Sequence, residues 1–480
     1  MRPINRDSVY VVFFVLVLFS SGACKKLIEV PAPVTSTNGA NVYQEDATAA
    51  AVLTGIYTNM SQTMLANGTS INSFMSLYPG LSADELALDI NVSNASMISY
   101  YQNSLINTTG PNVWESIYPV IYICNSAITG LTASGTLTPA VKQQLMGEAL
   151  FMRAFCYFYL VNLYAGVPLA LSTNYKTDGL LSRSSPDSVY QQIITDLTHA
   201  QQLLNSQFLS GDALTPTSER VRPTKWAADA LLSRVYLYQG MYAQAETEAD
   251  SVISNSGLFS LTGLDTVFLA NSMEAIWQLQ PVNLGWNTED ARFFIIPPTG
   301  LNINNPVYLS ASLLNAFEPG DWRRMEWVDS LINSQGTYYY PYKYKSDSLG
   351  APVTEYEMVL RLGEQYLIRA EARANQGNIT GPTGALSDLN AIRNRANLPS
   401  YAGATDEQSV ITAILHERQV EFFTEWGQRW LDLKRANLVN SVMGQDAAAK
   451  AATWSQNAQY YPVPLSDLQT DPNLTQNNGY

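Results

Sequence analysis

Histidine is almost missing from these 480 residues. The two present, His199 and His416, sit mid-helix in DLTHAQQLL and ILHERQV with no second His nearby, so neither begins a zinc motif. The chain also lacks a G-x-S-x-G elbow, a phosphate loop and a dinucleotide fingerprint. These absences leave no cofactor, metal or nucleophile motif to build an enzyme on. Cysteine is scarce, with three residues. Cys124 and Cys156 lie in apolar helical patterns (IYICNSAI, RAFCYFYL) and read as buried thiols, with a disulfide as the alternative. Basic residues are few, 27 against 41 acidic, for a net charge of −14. That balance excludes nucleic acid as a partner, because phosphates need a basic face, and it excludes adhesion to anionic lipid through a basic patch. Long apolar runs are missing too. Val9–Phe19 is 11 residues, short of the roughly 20 that span a bilayer. Ala149–Leu171 contains Arg153, Asn162 and Pro168. A central Arg costs roughly 2.5–3.5 kcal/mol on insertion, so this segment reads as a buried core helix.

What is present is an apolar, globular composition, 46% hydrophobic and 14% charged. Arg2, Arg6 and the Val9–Phe19 run form a secretory signal pattern, and the following Ser-Ser-Gly-Ala-Cys resembles a bacterial lipoprotein box. This predicts a signal peptide over 1–23 and Cys24 as the lipid attachment site, holding the chain on a membrane it does not cross. Hydrophobic periodicity predicts helices over Glu45–Leu65, Pro111–Leu131, Pro139–Tyr164, Pro186–Leu204, Lys225–Gln239, Tyr242–Ser254, Glu364–Gln376, Ala385–Ala396 and Asp406–Trp426. Ser185-Pro186 is an N-cap followed by Pro, and Thr405-x-x-Gln408 reads as a capping box. ALLSRVYLYQGMYAQA (230–245) is similar to a tetratricopeptide hairpin turning at Gly240, and a partial copy starts at Tyr366 and turns at Gly377. Between the helices lie insertions at Leu65–Asn112, Thr173–Ser185 and Gly257–Tyr356, with strands expected at Ala275–Gln280 and Met358–Leu362. Loops this long in a compact domain are usually functional or disordered, and their aromatic content argues for function.

Two carboxylates at glycosidase spacing will arise by chance among 41 acids. Asp84 and Glu417 are the acids to test for hydrolysis. Glu417, Glu421 and Glu425 line up along one helix face, where like charges repel unless paired. With Arg393, Arg395, Arg418 and Arg429 nearby in sequence they read as a structural ion-pair network, as does Arg369–Glu371–Arg373. Aromatics are the richer material: Phe, Trp and Tyr total 52, of which 28 are Tyr. Those in the insertions are candidates for a ligand surface, because flat rings suit the C–H face of a sugar and neighbouring amides suit its hydroxyls. They are Tyr78, Tyr100 and Tyr101 (after Asn91 and Asn94), Trp286 with Asn287, and Trp322. Each ring could equally be packing its own loop.

Four ordered blocks in the last third, VLRLGEQYLIRAEARANQG, ALSDLNAIRNRANLP, ILHERQVEFFTEWGQRWLDLKR and YPVPLSDLQTDPNLTQNNGY, together with GEALFMRAFCYFYLVNLYAGVPLA and Cys24-Lys25-Lys26, resemble the SusD/RagB family of Bacteroidetes. The resemblance implies a mostly α fold, with tetratricopeptide-like hairpins, long aromatic-rich loop insertions and a few short strands. An N-terminal module over 24–256 and a C-terminal module over 257–480 would share one globule. It further implies an outer-membrane, cell-surface lipoprotein that binds a nutrient, an oligosaccharide or polysaccharide first of all, without chemistry. Delivery would be to a SusC-like TonB-dependent transporter. A peptide or other non-glycan receptor of the same fold and a surface glycoside hydrolase are the alternatives, and periplasmic placement stays open.

Overall fold

The computed structural model describes residues 41–62, 71–110 and 112–480. The signal peptide and Cys24 lie outside the described residues. The helices in chain order are α1 (Asp46–Ser61), α2 (Ile71–Ser82), α3 (Ala95–Tyr101), α4 (Val113–Ala133), α5 (Pro139–Tyr164), α6 (Pro186–Leu203), α7 (Lys225–Tyr238) and α8 (Tyr242–Ile253). A short α9 (Glu289–Phe294) interrupts the long third insertion, and α10 (Leu362–Asn375), α11 (Ala385–Arg395), α12 (Glu407–Glu421) and α13 (Gln428–Arg435) follow it. The nine helices read from periodicity are all present, most within two residues at each end. Three two-stranded antiparallel pairs accompany them: β1 (Leu86–Leu88) with β3 (Val307–Leu309), β2 (Ala275–Leu279) with β6 (Glu357–Arg361), and β4 (Val328–Asn333) with β5 (Gly336–Pro341). Among the described residues no helix is long and apolar enough to cross a membrane.

α5 is the axis of the core. Most of its side chains are buried, as expected of a helix that is apolar nearly all round. Its one basic residue in the buried middle, Arg153, makes a bidentate bond to Asp196 of α6 (2.8 and 2.7 Å) and donates to Asn125 of α4 (2.9 Å). That pairing is what allows a cation inside the bundle. Cys124 and Cys156 are buried free thiols.

The hairpin α7–α8 turns at Gly240 (φ +67°) and α10–α11 at Gly377 (φ +76°). Though far apart in sequence they stack on each other. Arg369 of α10 reaches Asp250 of α8 at 2.5 Å and Arg373 reaches Glu246 at 2.7 Å, while both hold Asp388 of α11. The insertion between the hairpins is therefore looped out of a continuous helical stack. The main hydrophobic core runs from Tyr43 to Val463 and draws on both sides of residue 256.

Three sequence expectations change. The helix expected over Asp406–Trp426 stops at Glu421, because Thr424, Trp426 and Gly427 take positive φ (+55°, +50°, +68°) in a tight turn. A Cβ on Gly427 would lie 2.7 Å from Pro79 Cβ, so only glycine fits there. The cap of α12 is Asp406, whose side chain accepts from Ser409 N at 3.0 Å, and not the Thr405 box. The first insertion is not all loop: α2 lies wholly inside the core despite Asn72, Ser73, Ser76 and Pro79. Its C-terminal carbonyls are closed by the Lys450 ammonium, which donates to Leu81 O (2.7 Å), Ser82 O (3.3 Å) and Ala83 O (2.5 Å). A cation there satisfies orphan acceptors and opposes the helix dipole.

The glutamate stripe is a buried ion-pair network, and its membership differs in part from expectation. Glu421 holds Arg361 (2.6 Å), Arg323 (2.9 Å) and Arg395. Glu417 pairs with Arg323 (2.7 Å) and Arg393 (3.2 Å), and Glu425 with Arg361 (2.8 Å) and Lys343 (2.5 Å). Arg418 turns instead to Asp432 and Arg429 to Asp84, both at 2.7 Å.

Candidate ligand-binding site

The two large insertions meet through β1 and β3. Leu86 pairs with Leu309, Ala87 with Tyr308 and Leu88 with Val307, and Asp89 N extends the ladder to Pro306 O at 2.8 Å. Alternation along β3 turns Val307 and Leu309 into the core and leaves Tyr308 half-exposed. Past the strand ends the chain makes two Asn-rich turns. In the first, Asp89 Oδ1 accepts from Asn91 N and Nδ2 (both 3.1 Å), and Asn94 caps α3 by accepting from Ser96 N (3.0 Å) and Met97 N (3.1 Å). In the second, Asn302 Oδ1 accepts from Asn304 N (2.8 Å) and Asn305 N (3.2 Å). The buried Asn305 amide donates to the carbonyls of Arg292, Phe293 and Ile295 at 2.8–3.1 Å, tying this turn to the end of α9. The β4–β5 hairpin closes the third side, with Tyr338 packed edge-on against Tyr308 (5.3 Å, 77°).

Between these three segments lies a cleft of about 250 Å³. Asp89, Asn91, Ser93, Asn94, Asn302 and Gln335 supply its polar wall, and Val92, Met97, Leu301, Ile303, Pro306 and Tyr338 its apolar one. Because their oxygens are committed to the turns, Asn94 and Asn302 are held in place before any ligand arrives, which lowers the ordering cost of binding. The phenols nearby are neutral. Burial raises Tyr308 from its ordinary range, with Tyr338 and Asp89 adding to it, and burial with Tyr308 pushes Tyr101 up to about 12.

Of the residues singled out in the sequence, Tyr101 adjoins this surface. It is half-buried, near enough to Tyr308 for that ring to add to the rise of its phenol, and its ring sits 5.2 Å from the Lys450 ammonium. Asn91 and Asn94, noted as its polar neighbours, line the cleft itself. Tyr78 and Tyr100 are corrected: both are 2% exposed and pack in the core, Tyr78 on Phe74 (4.9 Å) and Tyr100 (4.4 Å), and Tyr100 on Tyr461 (5.2 Å). α2, unforeseen as a core helix, carries Tyr78 inward and leaves Tyr100 facing it. Asn287 is also corrected. Its amide is spent on Ser346 Oγ (2.9 Å), Pro352 O (3.0 Å), Thr354 N (2.8 Å) and Glu355 N (3.1 Å), so it staples two loops from inside. Trp286 is half-buried under the Arg292 guanidinium, 4.2 Å from its ring, and does not line the cleft. Trp322 is 47% exposed on a separate turn, fixed by its N–H to Ala396 O (3.0 Å), and does not line it either. Tyr338, absent from the residues singled out in the sequence, is the ring that lines the cleft, with Tyr308 packed against it. The aromatic run TYYYP could have flagged Tyr338 as a strand residue.

The acids named for hydrolysis are interior. Asp84 is 2% exposed and clamped by Arg429 at 2.7 and 2.8 Å; burial alone would raise its carboxyl, but the guanidinium outweighs that and lowers it. Glu417 is fully buried between Arg323 and Arg393. His416 bonds the Ala316 carbonyl at 2.8 Å. Among the described residues no group of three or more His, Cys, Asp or Glu could hold a metal ion. A larger hollow of about 440 Å³ opens on the helical side, between the Gly240 turn, α10, α12 and the end of α13. Its guanidinium groups are already paired, Arg435 with Glu371 (2.5 Å) and Arg429 with Asp84.

Residues 41–237 match the family model described as starch-binding associating with outer membrane, and residues 326–480 match that of the SusD family. SusD-like protein P2 of Formosa agariphila is 26% identical over 418 residues, covering 76% of this chain and 80% of its own. A solved SusD superfamily protein from Bacteroides vulgatus superposes with a TM-score of 0.78 at 22% identity, over 91% of this chain and 99% of its own. A laminarin-binding SusD-like protein superposes at 0.74 and 23% identity, over 91% and 100%. The two structural likenesses establish the fold, mostly α with hairpin repeats and few short strands. With the family models matching both ends of the described chain, this protein belongs to the SusD/RagB family.

Proposed function

We propose that the chain captures a nutrient oligosaccharide in the cleft between Asp89–Asn94, Leu301–Pro306 and Tyr338, and hands it on unchanged. The observation that carries this reading is the β1–β3 pairing, which joins the two insertions so that fixed amides and the half-buried Tyr338 ring face one hollow. A sugar ring stacked on Tyr338, with hydroxyls bonded by the Asn94 and Gln335 amides, is the arrangement such a ligand needs. The laminarin-binding relative supports the glycan class. The burial of Asp84 and Glu417 supports capture without hydrolysis.

The protein is further proposed to be a lipid-anchored, surface-facing outer-membrane component, acylated at Cys24 after removal of 1–23. It would deliver its ligand to a SusC-like TonB-dependent transporter, with the helical stack as the docking face. The modules 24–256 and 257–480 would move as one body. Metabolic labelling with a palmitate analogue should mark the wild type and not Cys24→Ser, and a copurification from outer membranes should recover a transporter-sized partner.

A peptide is the second reading, favoured by Ile90 and Ile303, which stand 95% and 79% exposed beside the cleft. Calorimetric titration against a panel of neutral polysaccharides and a peptide mixture separates the two. A glycan that binds the wild type and loses at least tenfold with Tyr338→Ala supports capture in this cleft. Unaltered glycan affinity in Tyr338→Ala and Asn94→Ala rejects the site, and binding of peptide alone rejects the glycan.

A further inference from the structure

We propose that the cleft takes uncharged sugar units and excludes chains bearing carboxylate or sulfate groups, with Asp89 as the discriminating residue. This rests on the reading of the cleft as a glycan site and adds the chemical class of the glycan.

Asp89 is the one charged side chain lining the cleft; the rest of its wall is amide, hydroxyl or apolar. Its carboxylate is not free to swing away. Oδ1 is held by Asn91 N and Nδ2 at 3.1 Å, and its own N–H is pinned to Pro306 O at 2.8 Å. It is close enough to Tyr308 to raise that phenol. No cation lines the cleft to offset it. Lys450, under Tyr101, spends its ammonium on the three carbonyls at the end of α2 and on Asp446 (3.4 Å), and Arg324 stacks on Tyr339 (4.4 Å) outside the cleft lining. Arg429, on the other side of the β1 strand, is committed to Asp84. Recognition of a carboxylate or sulfate relies on guanidinium or ammonium donors, and this wall has none.

An anionic substituent would therefore meet a fixed like charge with no partner. At about 6 Å and an effective dielectric between about 80 and about 20, that repulsion corresponds to roughly 3-fold to about 100-fold in affinity. The chain's net charge of −14 acts in the same direction at long range.

The test uses the mature full-length protein and matched polymer pairs: laminarin, starch and xylan against their carboxymethyl derivatives, with hydroxyethyl derivatives as neutral controls of the same bulk. The neutral and hydroxyethyl forms of the bound polymer should exceed the carboxymethyl form by about threefold or more. That gap should shrink between 50 and 500 mM NaCl as the repulsion is screened. In Asp89→Asn the gap should largely close. The salt series on the unaltered protein carries the test even if Asp89→Asn disturbs its turn. Equal binding of carboxymethyl and hydroxyethyl forms, or a gap indifferent to both salt and Asp89→Asn, overturns this inference and leaves glycan capture standing. Failure of every neutral polymer to bind overturns glycan capture itself, and this inference with it.

Discussion

Replacing Glu421 by Gln keeps the side chain's size and removes one charge from the centre of the buried network. Three guanidinium groups converge on that carboxylate: Arg361 at 2.6 Å, Arg323 at 2.9 Å and Arg395. None of the four side chains is exposed by more than 8%. Arg361 would keep Glu274 and Glu425, and Arg323 would keep Asp321 and Glu417, but Arg395 would keep Glu274 alone. Leaving buried charge undercompensated typically costs about 3–5 kcal/mol, a fifth or more of the ~5–15 kcal/mol that holds a domain folded. The control is Glu326→Gln, which breaks a half-exposed pair with Lys345 at 3.8 Å and should cost under about 1 kcal/mol. Urea unfolding followed by tryptophan fluorescence at pH 7 reads both. The pH dependence has a fixed sign. Burial would raise the Glu421 carboxyl, but Arg395, Arg361 and Arg323 hold it well below the usual range. Its contribution is then present above the unfolded value of about 4.3 and is lost as pH falls through the folded one. The gap between wild type and E421Q should narrow on acidification below about pH 4. A loss under about 1 kcal/mol at pH 7, or a gap that does not narrow in acid, would refute this reasoning.

Four further outcomes are expected. Glu85, fully buried beside Asp84, has its carboxyl pushed up to about 8 by burial and then by that neighbour. A raised folded value means stability is present below the unfolded value of about 4.3 and lost as pH rises toward 8, so Glu85→Gln should flatten the pH 5–8 slope of thermal melts. Gly427→Ala combines a positive φ with a 2.7 Å approach to Pro79 Cβ and should cost more than the ~1 kcal/mol of the backbone term alone, read by chemical denaturation. Tyr100→Ala should cost about 3–5 kcal/mol of stability as a core deletion. Tyr338→Ala should instead leave the melting temperature nearly unchanged and weaken ligand by tenfold or more, about 1.4 kcal/mol.

The helical frame was legible because its signals are local. Pro186 after Ser185, Gly240 and Gly377 at the hairpin turns, and the apolar girth of α5 each act within one or two turns of chain. The same is true of β2 and β6, whose periodicity stands out even though their pairing does not. α2 was illegible because its buried Asn, Ser and Pro look like loop, and its stability depends on a lysine more than 360 residues away. The site suffered in the same way. Tyr78 and Tyr100 have the composition of a ligand surface, and only the packing of Tyr100 between Tyr78 of α2 and Tyr461 turns them inward. Asn91 and Asn94 end up at the cleft because a three-residue strand pairs with a partner some 220 residues on. Register of that kind leaves no mark in either segment alone.

The most direct measurement is a crystal structure with the oligosaccharide selected by the binding panel. Sugar density between Asn94, Gln335 and Tyr338, with a ring face on Tyr338, is the expected result. Well-ordered sugar elsewhere, at Trp286 or Trp322 for example, with the Asp89–Asn94 turn empty, would contradict the account.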